Sequence, residues 1–147
     1  MAGDRGWIRN ATERIHEMNA TILLILALCG PIDRERFLHA LALVESNDNP
    51  KAVGKAGEVG RHQISKIAFR ELARLGLSGT GDPAHRLIDI KLTLMRKAGV
   101  ADSAANVALC WHHGFTGAKR RKWKPDSHAQ RTANIYNLSA SYNQYSR

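Results

Sequence analysis

The chain has 147 residues and a formal net charge of +9, a length that suits one domain and leaves little room for two. Its apolar share of 44% is enough for a packed core, and two cysteines are too few for a disulfide framework. Scarce aromatic residues beside abundant Ala and Leu favour helices over strands. The basic surplus favours anionic partners, whether nucleic acid, anionic lipid or a carboxylate-bearing cell wall.

Residues 20–28 read ATILLILAL and are followed by Cys29 and Gly30. This apolar run is too short to span a bilayer and has the length of a signal-peptide core. The upstream part mixes Arg5, Arg9 and Arg14 with Asp4, Glu13 and Glu17, and Met18 just before the run is an alternative start. A lipoprotein-type cleavage site at Cys29 is disfavoured by Leu28, where a small residue is expected. We therefore read residues 1–30 as an N-terminal extension with a signal-peptide-like segment, an ordinary core helix being the alternative. Residues 31–147 are read as one domain, exported to the periplasm or cell envelope.

Residues 32–46 follow a helical pattern, with Phe37, Leu38, Leu41, Ala42 and Val44 on an apolar face. Asn47, Asp48, Asn49 and Pro50 end it. Residues 51–60 hold Gly54, Gly57 and Gly60 and predict a loop or small hairpin. A second helix is expected over residues 65–75, with Ile64, Ala68, Leu72 and Leu75 on one face. Asp82 caps a third, with Pro83 at its first position and Gly99 beyond its end. Ser103 caps a fourth that runs to Trp111, and residues 114–125 read as a basic loop. The last helix, residues 127–142, aligns Ala129, Thr132, Ala133, Tyr136 and Ala140. The fold class is thus all-α, with one small irregular segment after the first core helix. Cys29 and Cys110 both sit in apolar surroundings and read as buried thiols rather than a bridge.

Glu45 is the residue with chemistry to explain. Helical spacing puts it on the face of Leu41 and Leu38, where an ionised carboxylate is costly. It also lies in the helix's last turn, at the negative end of the dipole, with Asp48 nearby. These effects predict an acid that keeps its proton, as protonation of a glycosidic oxygen requires. The bland alternative is a helix-end Glu paired with an Arg or a backbone group. Glu58 in the Gly-rich segment is either a second carboxylate, which would favour a hydrolase, or a loop residue paired with Arg61 or Arg70. His112 and His113 lack a third ligand at a fixed short spacing, so no metal site and no cofactor are expected. The cluster Lys119, Arg120, Arg121, Lys122, Trp123, Lys124 fits nucleic-acid contact, a solvated loop, or attraction to an anionic wall.

Four ordered motifs carry a family resemblance. Leu43-Val44-Glu45-Ser46-Asn47-Asp48-Asn49-Pro50-Lys51-Ala52-Val53 resembles the first motif of SLT-type lytic transglycosylases, members of the lysozyme-like superfamily. In that family a helix ends in Glu-Ser, followed by a polar turn and Asn-Pro. Gly57-Glu58-Val59-Gly60-Arg61-His62-Gln63-Ile64 resembles its Gly-Leu-Met-Gln-Ile segment at Gly60, Gln63 and Ile64. Residues 108–117, around Trp111, His112 and Gly114, are similar to its Ala-Tyr-Asn-Ala-Gly-x-x-Gly. Residues 128–136, ending at Tyr136, are similar to its terminal helix.

The resemblance implies a lysozyme-like fold with a small hairpin. It also implies cleavage of the MurNAc-GlcNAc β-1,4 bond of peptidoglycan by one acid/base, Glu45, leaving 1,6-anhydro ends. It makes Ser46, His62, Gln63, Trp111, His112, His128 and Tyr136 candidate substrate-binding residues. The chain departs from the family at Arg61-His62, where Leu-Met is usual, and at Trp111-His112, where Tyr-Asn is usual. His128 replaces a Tyr that touches the acid; as a cation it would favour the ionised carboxylate. Runner-up expectations are a lysozyme-like hydrolase or a weakly active glycan-binding module. The expected partner is peptidoglycan strands, with no specific nucleic acid, no transmembrane span and a monomeric state.

Overall fold

The computed structural model describes residues 31–79 and 81–142; the expected signal-like segment lies outside the described residues. Five helices follow one another: α1 (Arg34–Ser46), α2 (Lys66–Arg74), α3 (Pro83–Lys97), α4 (Ala104–Arg120) and α5 (Ser127–Tyr142). Among the described residues there is no β-strand, so the domain is helical. No helix among them is long and apolar enough to cross a membrane.

Local chemistry sets the helix ends. The Asp33 carboxylate accepts from the Arg36 backbone N–H at 3.1 Å and caps α1. At its far end Asn47 and Asp48 both take left-handed backbone angles, with φ of 54° and 59°. There the Asp48 N–H reaches back to the Ala42 carbonyl at 2.9 Å, which satisfies an otherwise orphaned acceptor. Ser65 and Ser103 cap α2 and α4, each hydroxyl accepting from the N–H three residues on. Asp82 caps α3 with Pro83 in its first turn.

Between α1 and α2 the expected small hairpin is two isolated bridges, Val53 with Val59 and Val59 with Ile64. The irregular segment therefore runs on to residue 64, beyond the expected 60. Leu75, expected on the buried face of the second helix, is instead 44% exposed at the C-cap of α2.

The fourth helix also differs from expectation. It does not stop at Trp111: it continues to Arg120 across a kink at Gly114, whose φ is 69° and ψ 167°. Glycine reaches that conformation without a Cβ penalty. Helix resumes because its second part has a core to pack on: Ala118 is fully buried, and Phe115 meets Trp123 edge-on at 5.7 Å. Lys119 and Arg120 thus form a basic C-terminal turn of α4, where cations complement the dipole.

α5 packs on α1 and α4, and α3 packs on α4. Phe37, Leu41, Ile88, Leu92, Met95 and Leu109 fill the space between them and are fully buried. Truncating one of these to Ala would cost about 2–5 kcal/mol. Cys110 is a free, buried thiol in this core.

Candidate active site

A cavity of about 320 Å³ opens where α1 ends. Glu45 from α1, Gly54 and Gln63 from the irregular segment, Lys91 from α3, and Trp111 and His112 from α4 face it. The spacing argument places Glu45 on the buried stripe, and its side chain is only 12% exposed. Past the left-handed turn at Asn47 and Asp48 the irregular segment returns to the end of α1, where the Ser46 hydroxyl meets the Arg61 carbonyl.

Behind Glu45 stands His128 of α5, its Nε2 3.3 Å from the Glu45 Oε1. The hydrogen bond to Glu45 raises the His128 pKa above its ordinary value, against the opposing effect of burial. His128 Nδ1 is buried with no hydrogen-bond partner. His112 stacks on the His128 ring at 4.4 Å and 23°. Burial first, then the neighbouring His128 and His113, hold the His112 pKa below the usual imidazole range. His113 meets His112 edge-on at 4.7 Å, and its Nε2 pairs with Asp126 Oδ2 at 2.6 Å. Asp126 also accepts from the Ala129 N–H at 2.9 Å and so caps α5. That backbone bond, then His113, lower its pKa to about 2.

Ser46 does not line the cavity. Its hydroxyl donates to the Arg61 carbonyl at 2.8 Å and accepts from the Asn49 N–H at 3.0 Å. It thereby fastens the end of α1 to the irregular segment. Asp48 is neutralised by Arg61 at 3.2 Å, so the repulsion expected between Asp48 and Glu45 is offset. Gln63 adopts a left-handed φ of 48°, and its amide donates to the Gly60 carbonyl at 2.7 Å. A Cβ on Gly54 would collide with the Glu58 carboxylate and the Gln63 side-chain oxygen; only glycine lets both groups sit over that backbone.

Glu58 lies on the cavity wall, and its carboxylate accepts from the Ala56 N–H at 3.1 Å. It is thus held by its own turn rather than by Arg61. His62 stands behind Trp111 rather than among the cavity-lining residues: its carbonyl accepts from the Trp111 indole N–H at 3.3 Å, and the rings meet edge-on at 6.5 Å. Burial lowers the His62 pKa, with Asp82 pulling the other way.

Tyr136 belongs to the core rather than to the cavity. Its hydroxyl accepts from the Asp33 N–H at 3.0 Å, at the opposite end of α1, and Arg36 lies 3.9 Å over its ring. There it clamps α5 to the start of α1.

Lys91 is a cavity residue that the motifs did not flag. Its ammonium donates to the Cys110 carbonyl at 3.2 Å and lies 5.6 Å from the Trp111 ring centroid. Burial lowers its pKa, with Cys110 opposing. The signal was in the sequence: a lysine one helical turn from both Leu87 and Met95, on the buried stripe of α3.

The absence of a third ligand near His112 held only along the chain. In space Glu45, His112 and His128 each offer a ligand-capable atom, all within 4.8 Å of one another. No protein-family model, curated protein or solved structure matches the chain.

Proposed function

We propose that the protein is an exported, monomeric, lysozyme-like lytic transglycosylase that cleaves the MurNAc-GlcNAc β-1,4 bond of peptidoglycan with Glu45 as its single acid/base. The observation that carries the reading is the setting of Glu45: a nearly buried carboxylate at the end of a helix, facing a cavity beside Gln63 and Trp111. Four ordered motifs of the family support it. In this reaction Glu45 protonates the glycosidic oxygen and then takes the proton of the C6 hydroxyl of MurNAc. The internal attack closes a 1,6-anhydro ring and uses no protein nucleophile. The His128 Nε2 lies 3.3 Å from the Glu45 Oε1, close enough to orient the carboxylate. The Trp111 ring and the Lys91 ammonium supply an apolar face and a cation for a carboxylate-bearing glycan.

Glu58 favours a second reading. It faces the same cavity as Glu45, and a second carboxylate that positions water would make the enzyme a hydrolase. The test of the first reading is Glu45→Gln. Gln keeps the shape but cannot exchange a proton, so release of soluble fragments from insoluble peptidoglycan should fall by roughly two to four powers of ten. Circular dichroism should be unchanged. Substantial residual activity would reject Glu45 as the acid.

A further inference from the structure

Three side chains from three helices converge at one point: Glu45 from α1, His112 from α4 and His128 from α5. We propose that this cluster binds a divalent transition-metal ion of the zinc class, held by the Glu45 carboxylate and the two imidazoles, with its open position toward the cavity. Two nitrogens and one carboxylate oxygen are a ligand set suited to zinc with a fourth site left free.

The distances favour this. Metal–ligand bonds of about 2.0–2.1 Å in a tetrahedron put neighbouring donors roughly 3.3 Å apart. The Nε2 of His128 and the Oε1 of Glu45 are 3.3 Å apart. A charge-assisted hydrogen bond closes to about 2.7–2.9 Å; elsewhere among the described residues His113–Asp126 and His85–Glu35 lie at 2.6 Å and His85–Asp82 at 3.1 Å. The His128–Glu45 pair is the longest of these and has the spacing of two metal ligands. His112 must turn out of its stack to complete the set. It is exposed, so solvent leaves room for that rotation, which gives up its contacts with the His128 and His113 rings. A neutral imidazole offers the lone pair that a metal ion needs. Metal and proton then compete for the same carboxylate, so a bound ion would hold Glu45 as an anion.

The proposal stands apart from the cleavage reading, because its tests read binding and need no activity. Calorimetric titration of the full chain with zinc chloride near neutral pH should give one ion per chain with micromolar affinity. His112→Ala and His128→Ala should each weaken it by about tenfold or more, whereas His39→Ala, at an exposed histidine on α1, should not. Cobalt(II) added to the unmodified protein provides a check that needs no variant: one equivalent should develop the visible bands of a low-coordinate nitrogen–oxygen site, and excess zinc should bleach them. The proposal is overturned by absence of one-to-one binding at millimolar zinc, by an affinity indifferent to both histidines, or by a cobalt spectrum that stays that of the aqueous ion.

Discussion

Two histidine–carboxylate pairs lie along the α4–α5 side of the molecule, linked through His112, and they differ in how tightly they close and in what lies beside them. His113 and Asp126 close to 2.6 Å, and the same carboxylate caps α5 through Ala129. Every contact there fixes an element end. His128 and Glu45 stand 3.3 Å apart beside a cavity, and His128 Nδ1 has no partner. The tight pair spends its carboxylate on structure. The loose pair leaves its carboxylate facing the cavity, and the surrounding core holds it in place with imperfect polar satisfaction.

The comparison is sharpened first at His128. Its pKa is raised by Glu45, so the pair contributes stability in full below the unfolded histidine value of about 6.5 and loses it as pH rises through the higher folded value. Under the proposed reading, cleavage should fall as His128 loses its proton over the same range. His128→Gln should remove that limb, and the rate at neutral pH should drop by about tenfold. A pH–rate profile identical to that of the unaltered protein would break the link between the two groups.

Asp126 gives the opposite outcome. Asp126→Ala removes the cap of α5 and should cost about 1 kcal/mol in denaturant unfolding, with cleavage retained. Because the folded pKa of Asp126 is lowered to about 2, its contribution is present above the unfolded value near 3.9 and is lost as pH falls from there toward 2. The difference in stability between the two proteins should therefore vanish in acid. A large rate loss in Asp126→Ala at unchanged stability would erase the distinction between the pairs.

The smallest effect is expected at the basic end of α4. Neutral residues in place of Arg120, Arg121 and Lys122, all exposed, should reduce co-sedimentation with peptidoglycan at low salt by a few-fold, about what screening by added salt does to the unaltered protein. Unchanged sedimentation together with a collapse of duplex DNA affinity would favour a nucleic-acid role for that turn.

Much of this was legible along the chain because its signals are local. Asp82-Pro83 and Gly99 bracket α3, and Asn47-Asp48 end α1, through chemistry that spans a few residues. Glu45 on the buried stripe follows from helical spacing alone. What the sequence hid depends on distant partners. Gly114 reads as a stop, yet helix resumes because Ala118 finds a buried seat. Tyr136 matches a sugar-contact motif, yet its hydroxyl meets Asp33, 103 positions away. The meeting of Glu45, His112 and His128 needs three helices packed in one register, and no pattern along the chain encodes that.

The central claim, one carboxylate and no second, is tested most directly by mass analysis of the products released from insoluble peptidoglycan by the unaltered protein and by Glu58→Gln side by side. The account predicts 1,6-anhydro ends from both, at comparable rates, since Glu58 is held by its own turn through the Ala56 N–H. Reducing ends from the unaltered protein, or loss of cleavage in Glu58→Gln, would contradict it and make the enzyme a two-carboxylate hydrolase.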